Sequence, residues 1–91
     1  MDKTIEQREK AIMDRLLEEL TIYDKEDVKV TNRLSGESVM LTPQQVAVYD
    51  YMNGLISFNF FDHKEKYYQE YDACKMWILK HNQKAYSTLI D

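Results

Sequence analysis

Val28-Lys29-Val30-Thr31-Asn32-Arg33-Leu34 runs through Ser35-Gly36-Glu37 into Ser38-Val39-Met40-Leu41-Thr42-Pro43-Gln44-Gln45-Val46, and the reading of this stretch decides the fold. Apolar and polar residues alternate from Val28 to Leu34, Ser35-Gly36 is a turn signal, and a second short apolar run follows. That pattern reads as a two-stranded β-hairpin. A two-residue turn at Ser35-Gly36 predicts Leu34 opposite Glu37, Asn32 opposite Val39 and Val30 opposite Leu41. One face then carries Val28, Val30, Leu34, Val39 and Leu41. Two strands alone are marginal in water, so the hairpin must lie on helices or pair with the edge of another copy. Thr42-Pro43-Gln44-Gln45 reads as a helix start, with Thr42 as N-cap, Pro43 at the first helical position and Gln45 closing a capping box. Leu41 and Val46 stand where a hydrophobic staple would join them.

Outward from that cap, the only formal charge between Pro43 and Phe61 is Asp50. A helix apolar on most of its circumference is buried on several sides or carries an interface. Gly54 in mid-helix is unfavourable relative to Ala, which predicts a close approach of another backbone. Asp50 reads either as a solvated edge residue or as a carboxylate held by Arg33, Lys29 or a tyrosine hydroxyl. The run Ile56–Phe61 also fits a strand or an irregular break. Asp62 as N-cap with Glu65 opens a third helix, whose stripe is Tyr67, Tyr71, Cys74, Ile78 and His81, with Tyr68 and Trp77 flanking. Asn82 is placed to end it, and residues 85–90 form a final turn tucked onto the core by Tyr86 and Leu89. Upstream, Thr4 and Gln7 form a capping-box pattern for a first helix fading near Lys25-Glu26-Asp27. Its apolar stripe contains Ile5, Ile12, Leu16 and Tyr23, at spacings that fit a core-facing helix or a short dimer seam.

The chain has 91 residues, 44% of them hydrophobic, and a formal charge of −4. That length allows one domain with one modest core. The acidity lies in residues 1–27, while 28–91 are balanced. Phosphate binding needs Lys and Arg in a run or stripe, and none is present, which disfavours nucleic acid as the main partner. The single Cys74, the lack of an apolar signal core at the N-terminus and the lack of a membrane-length apolar run predict a soluble cytoplasmic protein. His63 and His81 have no ligand-spaced partners, so no metal site is expected. Cys74 on an apolar stripe reads as a small buried hydrophobe rather than a nucleophile. No glycine-rich phosphate loop occurs, and no cofactor is expected.

Thr31-Asn32-Arg33, Gly36-Glu37, Leu41-Thr42-Pro43, Ala47-Val48-Tyr49-Asp50 and Gly54, followed by Trp77, Ala85-Tyr86, Thr88-Leu89 and Asp91, form a combination. From Val28 onward it resembles a family of short bacteriophage proteins of marine and gut phages. The acidic first helix lies outside the resemblance. No activity is attached to that family, so the resemblance implies context alone: an accessory gene product in the cytoplasm of an infected bacterium.

The expectation is an α+β fold in one domain, with an acidic helix over 1–27 and a hairpin-helix-helix unit over 28–91. The expected function is non-enzymatic: protein–protein interaction with a host protein and formation of a homodimer. The alternative is a nucleic-acid-associated transcriptional regulator that uses Arg33, Lys29 and the Tyr/Lys face of the third helix. The candidate contact residues are Ile12, Leu16, Tyr23, Arg33, Asp50, Tyr51, Phe58, Tyr67, Tyr68 and Tyr71.

Overall fold

A computed structural model describes residues 3–58 and 65–90, with the order α1 (Lys3–Glu19), β1 (Val28–Thr31), β2 (Ser38–Leu41), α2 (Pro43–Phe58), α3 (Glu65–His81), α4 (Gln83–Ala85) and a π-helical turn (Tyr86–Ile90). This is an α+β arrangement with one antiparallel two-stranded sheet. The strands pair Val28 with Leu41, Lys29 with Met40, Val30 with Val39 and Thr31 with Ser38. The register is therefore displaced by two residues from the sequence expectation. Asn32 N donates to Glu37 O at 2.8 Å, and Gly36 N donates to Asn32 O at 2.8 Å, so the connection is the loop 33–36 and not a two-residue turn. A two-residue type I′ turn needs positive φ at both central residues, to which Ser35 is ill suited. Gly36 supplies it, at φ 78°. The Asn32 and Ser35 side chains accept from Leu34 N and Glu37 N and brace the loop. A shift by two keeps every side chain on its face. Val30, Val39 and Leu41 accordingly still pack on the core, whereas Leu34 leaves the strand and is 99% exposed.

The helix start after β2 is as read from the sequence. Gln45 N donates to Thr42 Oγ1 at 3.2 Å, and Thr42 N donates to Gln45 Oε1 at 3.1 Å, the reciprocal pair of a capping box. Leu41 is buried and Val46 packs against the same core. Val48, Met52 and Leu55 are the buried face of α2. Among the described residues no backbone approaches Gly54, where a Cβ would meet nothing within 4 Å, contrary to the reading of a tight crossing. The continuation to Phe61 and the Asp62 cap lie outside the described residues.

α3 packs against both α1 and α2 and against the C-terminal turns. Ala73, Cys74 and Ile78 of α3, Met13 and Leu16 of α1, and Val48 and Met52 of α2 join Val39 and Leu41 in one core. α1 already includes Lys3, so Thr4 stands inside the first turn rather than as its cap. The helix ends at Glu19, well before Lys25. Glu18 and Glu19 oppose the macrodipole in a last turn that contains no base, and β-branched Thr21 and Ile22 follow. The acidic termination anticipated at Glu26-Asp27 takes effect one acid pair earlier.

Asn82 joins the hairpin to the helices. Its Oδ1 accepts from Ala85 N at 3.0 Å and caps α4. Its Nδ2 donates to Met40 O at 3.1 Å and to Gln45 Oε1 at 3.0 Å. With φ −155° it is the N-cap of α4, not the left-handed helix terminator anticipated from sequence. Asn32 Nδ2 donates to Thr88 O at 2.9 Å, which ties the hairpin loop to the π turn. Ala85 is fully buried, and Tyr86 and Leu89 rest on the core as expected.

Candidate functional site

The most polar point of the interior is Glu70 on α3. Its side chain is 3% exposed, and Arg15 Nη2 donates to its Oε2 at 2.6 Å. Tyr51 Oη donates to Oε1 at 2.7 Å. One carboxylate thus joins α1, α2 and α3, as a buried charge must if it is to be paired and hydrogen-bonded. The Glu70 hydrogen bond, and then its charge, raise the Arg15 guanidinium pKa against an opposing desolvation effect. Burial, then the hydrogen bond to Glu70, hold the Tyr51 phenol well above its ordinary range. Burial first, and the Glu70 charge second, push the Cys74 thiol up to about 12. A thiol so protonated is no nucleophile near neutral pH.

Arg15 and Glu70 hold α1 against α3, and farther along these helices an open groove of about 380 Å³ separates them. Met13, Ala73, Met76 and Trp77 form its apolar part. Glu6, Glu9 and Lys10 line it from α1, and Lys80 and His81 from α3. His81 is exposed, not packed in a stripe, with its ring centroid 4.7 Å from that of Trp77. Among the described residues, no group of three or more His, Cys, Asp or Glu side chains converges to hold a metal ion.

The candidate contact residues separate into distinct environments. Leu16 is core and Ile12 packs on the core, so the stripe read as a dimer seam faces its own chain. Tyr23 lies beyond the end of α1 and is 86% exposed, which removes it from that stripe. Tyr51 is the Glu70 ligand described above. Tyr67 and Tyr71 are half-buried and Tyr68 is exposed, with Lys75 Nζ standing 5.7 Å from the centre of the Tyr71 ring. Arg33 lies in the exposed hairpin loop. Asp50 is exposed and is held by neither Arg33, Lys29 nor a tyrosine hydroxyl. Desolvation, with the nearby Asp24 charge, raises its pKa. The side chain of Phe58 lies outside the described residues.

Sequence reading missed Glu70 and the groove, and it read Asn82 only as the end of the third helix, not as a link to Met40 and Gln45. Glu70 had a signal, since it stands three residues after Tyr67 and four before Cys74 on the apolar stripe. Such a position admits an acid only if another element brings it a partner. No family model, curated protein or solved structure matches this chain.

Proposed function

We propose that the protein acts by contact, as a non-enzymatic accessory protein that binds another protein and associates with itself. The observation that carries the reading is the α1/α3 groove, where Met76 and Trp77 are only half-buried beside a charged rim. Aromatic and methionine side chains in such a setting are typical anchors of protein recognition. The occupant it fits is an apolar side chain of a partner segment that also carries charge. The resemblance of residues 28–91 to short phage proteins supports a bacterial host protein as that partner, met in the host cytoplasm.

The test compares tagged wild type with Met76→Glu in capture from bacterial lysate, with circular dichroism to check the fold of both. A protein retained by wild type and lost with the folded variant supports the reading. Equal retention by both would show that the groove is not the contact surface. For the captured partner, a change in emission on binding is expected from Trp77, the sole tryptophan. The regulator alternative has less support, because Lys29, Arg33 and Lys75 are spread over β1, the hairpin loop and α3 of a chain with net charge −4. Filter binding at low salt is expected to retain neither DNA nor RNA.

A further inference from the structure

The two outer edges of the hairpin are not treated alike. In this register the hydrogen-bonded pairs are Asn32 with Glu37, Val30 with Val39 and Val28 with Leu41. Main-chain groups of Met40 therefore point away from β1, and Asn82 covers that edge by donating to Met40 O. Those of Lys29 and Thr31 point away from β2, and among the described residues no backbone or side-chain group meets them. Lys29 and Thr31 are both exposed. An open strand edge is a template for a further strand.

We infer that β1 pairs antiparallel with β1 of a second copy, about a two-fold axis at Val30, making one continuous four-stranded sheet. The inference deepens the self-association part of the proposed function and rests on it. In this register each Lys29 exchanges both main-chain hydrogen bonds with the second copy's Thr31, while Val30 meets Val30 on the core-facing side. A lysine on an edge strand ordinarily discourages pairing, but here it faces a threonine and not the second copy's Lys29. The same register sets Asp27, just before β1, opposite the second copy's Arg33, just after it. Both are exposed, and neither has an ion pair among the described residues. β1 is four residues long, so the contact it makes is small and the dimer is expected to dissociate on dilution.

Sedimentation equilibrium of the full chain tests this, from low to high micromolar concentration. Wild type is expected to pass from monomer to dimer. Lys29→Pro removes an outward N–H and leaves the β1–β2 ladder intact, and it is expected to stay monomeric, with the melting temperature of wild type at low micromolar concentration, where wild type too is monomeric. Arg33→Glu should weaken the dimer at least several-fold, and Asp27→Arg added to it should restore most of the loss. That rescue is independent of any folding defect in the proline variant. Wild type monomeric at high micromolar concentration overturns self-association altogether. A folded Lys29→Pro that dimerises like wild type, or a double charge swap without rescue, overturns the β1 edge while leaving self-association standing.

Discussion

Removing Arg15 and removing Glu70 are not equivalent changes, although both break the same ion pair. The Arg15 side chain is 46% exposed and that of Glu70 only 3%. Without Glu70, the guanidinium turns to solvent and to Glu19, 3.5 Å away. Without Arg15, the buried carboxylate keeps, among the described residues, only the Tyr51 hydroxyl. Breaking a buried pair from the side that strands the charge costs about 3–5 kcal/mol, whereas an apolar isostere can be nearly neutral. We expect Arg15→Ala to destabilise by about 3 kcal/mol and Glu70→Met by less than about 1.5 kcal/mol. Urea denaturation of the two variants measures the difference, and equal losses would mean that Glu70 is not the stranded partner. The node was half legible in the sequence. Glu70 falls on the α3 stripe, but Arg15 is 55 residues away and reads locally as an i,i+4 partner of Glu19. Only the packing of α1 on α3 shows which acid it serves.

At the scale of elements, Gly54 separates what local sequence specifies from what it does not. A mid-helix glycine is unfavourable by about 0.5–1 kcal/mol relative to alanine unless space forbids a side chain. Here a Cβ meets nothing within 4 Å among the described residues. Gly54→Ala is therefore expected to stabilise the protein by about 0.5–1 kcal/mol, raising the melting temperature by roughly 2–8 °C for a domain of this size. A fall in melting temperature would restore the close-approach reading. The α2 start was fully legible, because every bond of the Thr42–Gln45 box lies within one turn. The faces of Val28, Val30, Val39 and Leu41 were legible too, since period-two alternation survives an even shift of register. The register itself was not, because it depends on how Asn32 and Ser35 fold the loop onto their own main chain. Nor was Asn82, whose Met40 and Gln45 partners are 42 and 37 residues distant. Local chemistry fixed the ends of elements wherever both partners lay within a turn, and contacts between elements fixed the rest.

The whole molecule meets at α3, and this gives its stability an alkaline limit. Cys74 is buried in the common core, and Tyr51 closes the Glu70 node beside it. The thiol has its ordinary pKa of 9.0 in the unfolded chain and is pushed up to about 12 in the folded one. Between those values the folded state keeps a proton that the unfolded state releases. Stability attached to this site is thus complete below pH 9 and falls as pH rises toward about 12. The Tyr51 phenol, also raised, adds to the fall from its ordinary pKa of 10 upward. One such proton difference gives a limiting slope of about 1.4 kcal/mol per pH unit. Cys74→Ala removes the first contribution and leaves the second, at the expense of a small cavity lowering stability at every pH. Its stability should therefore decline less steeply than that of wild type between pH 9 and 10.5, and the two curves should converge in alkali. Chemical denaturation at half-unit pH steps measures this, and parallel curves would show that Cys74 ionises as readily in the folded core as in water.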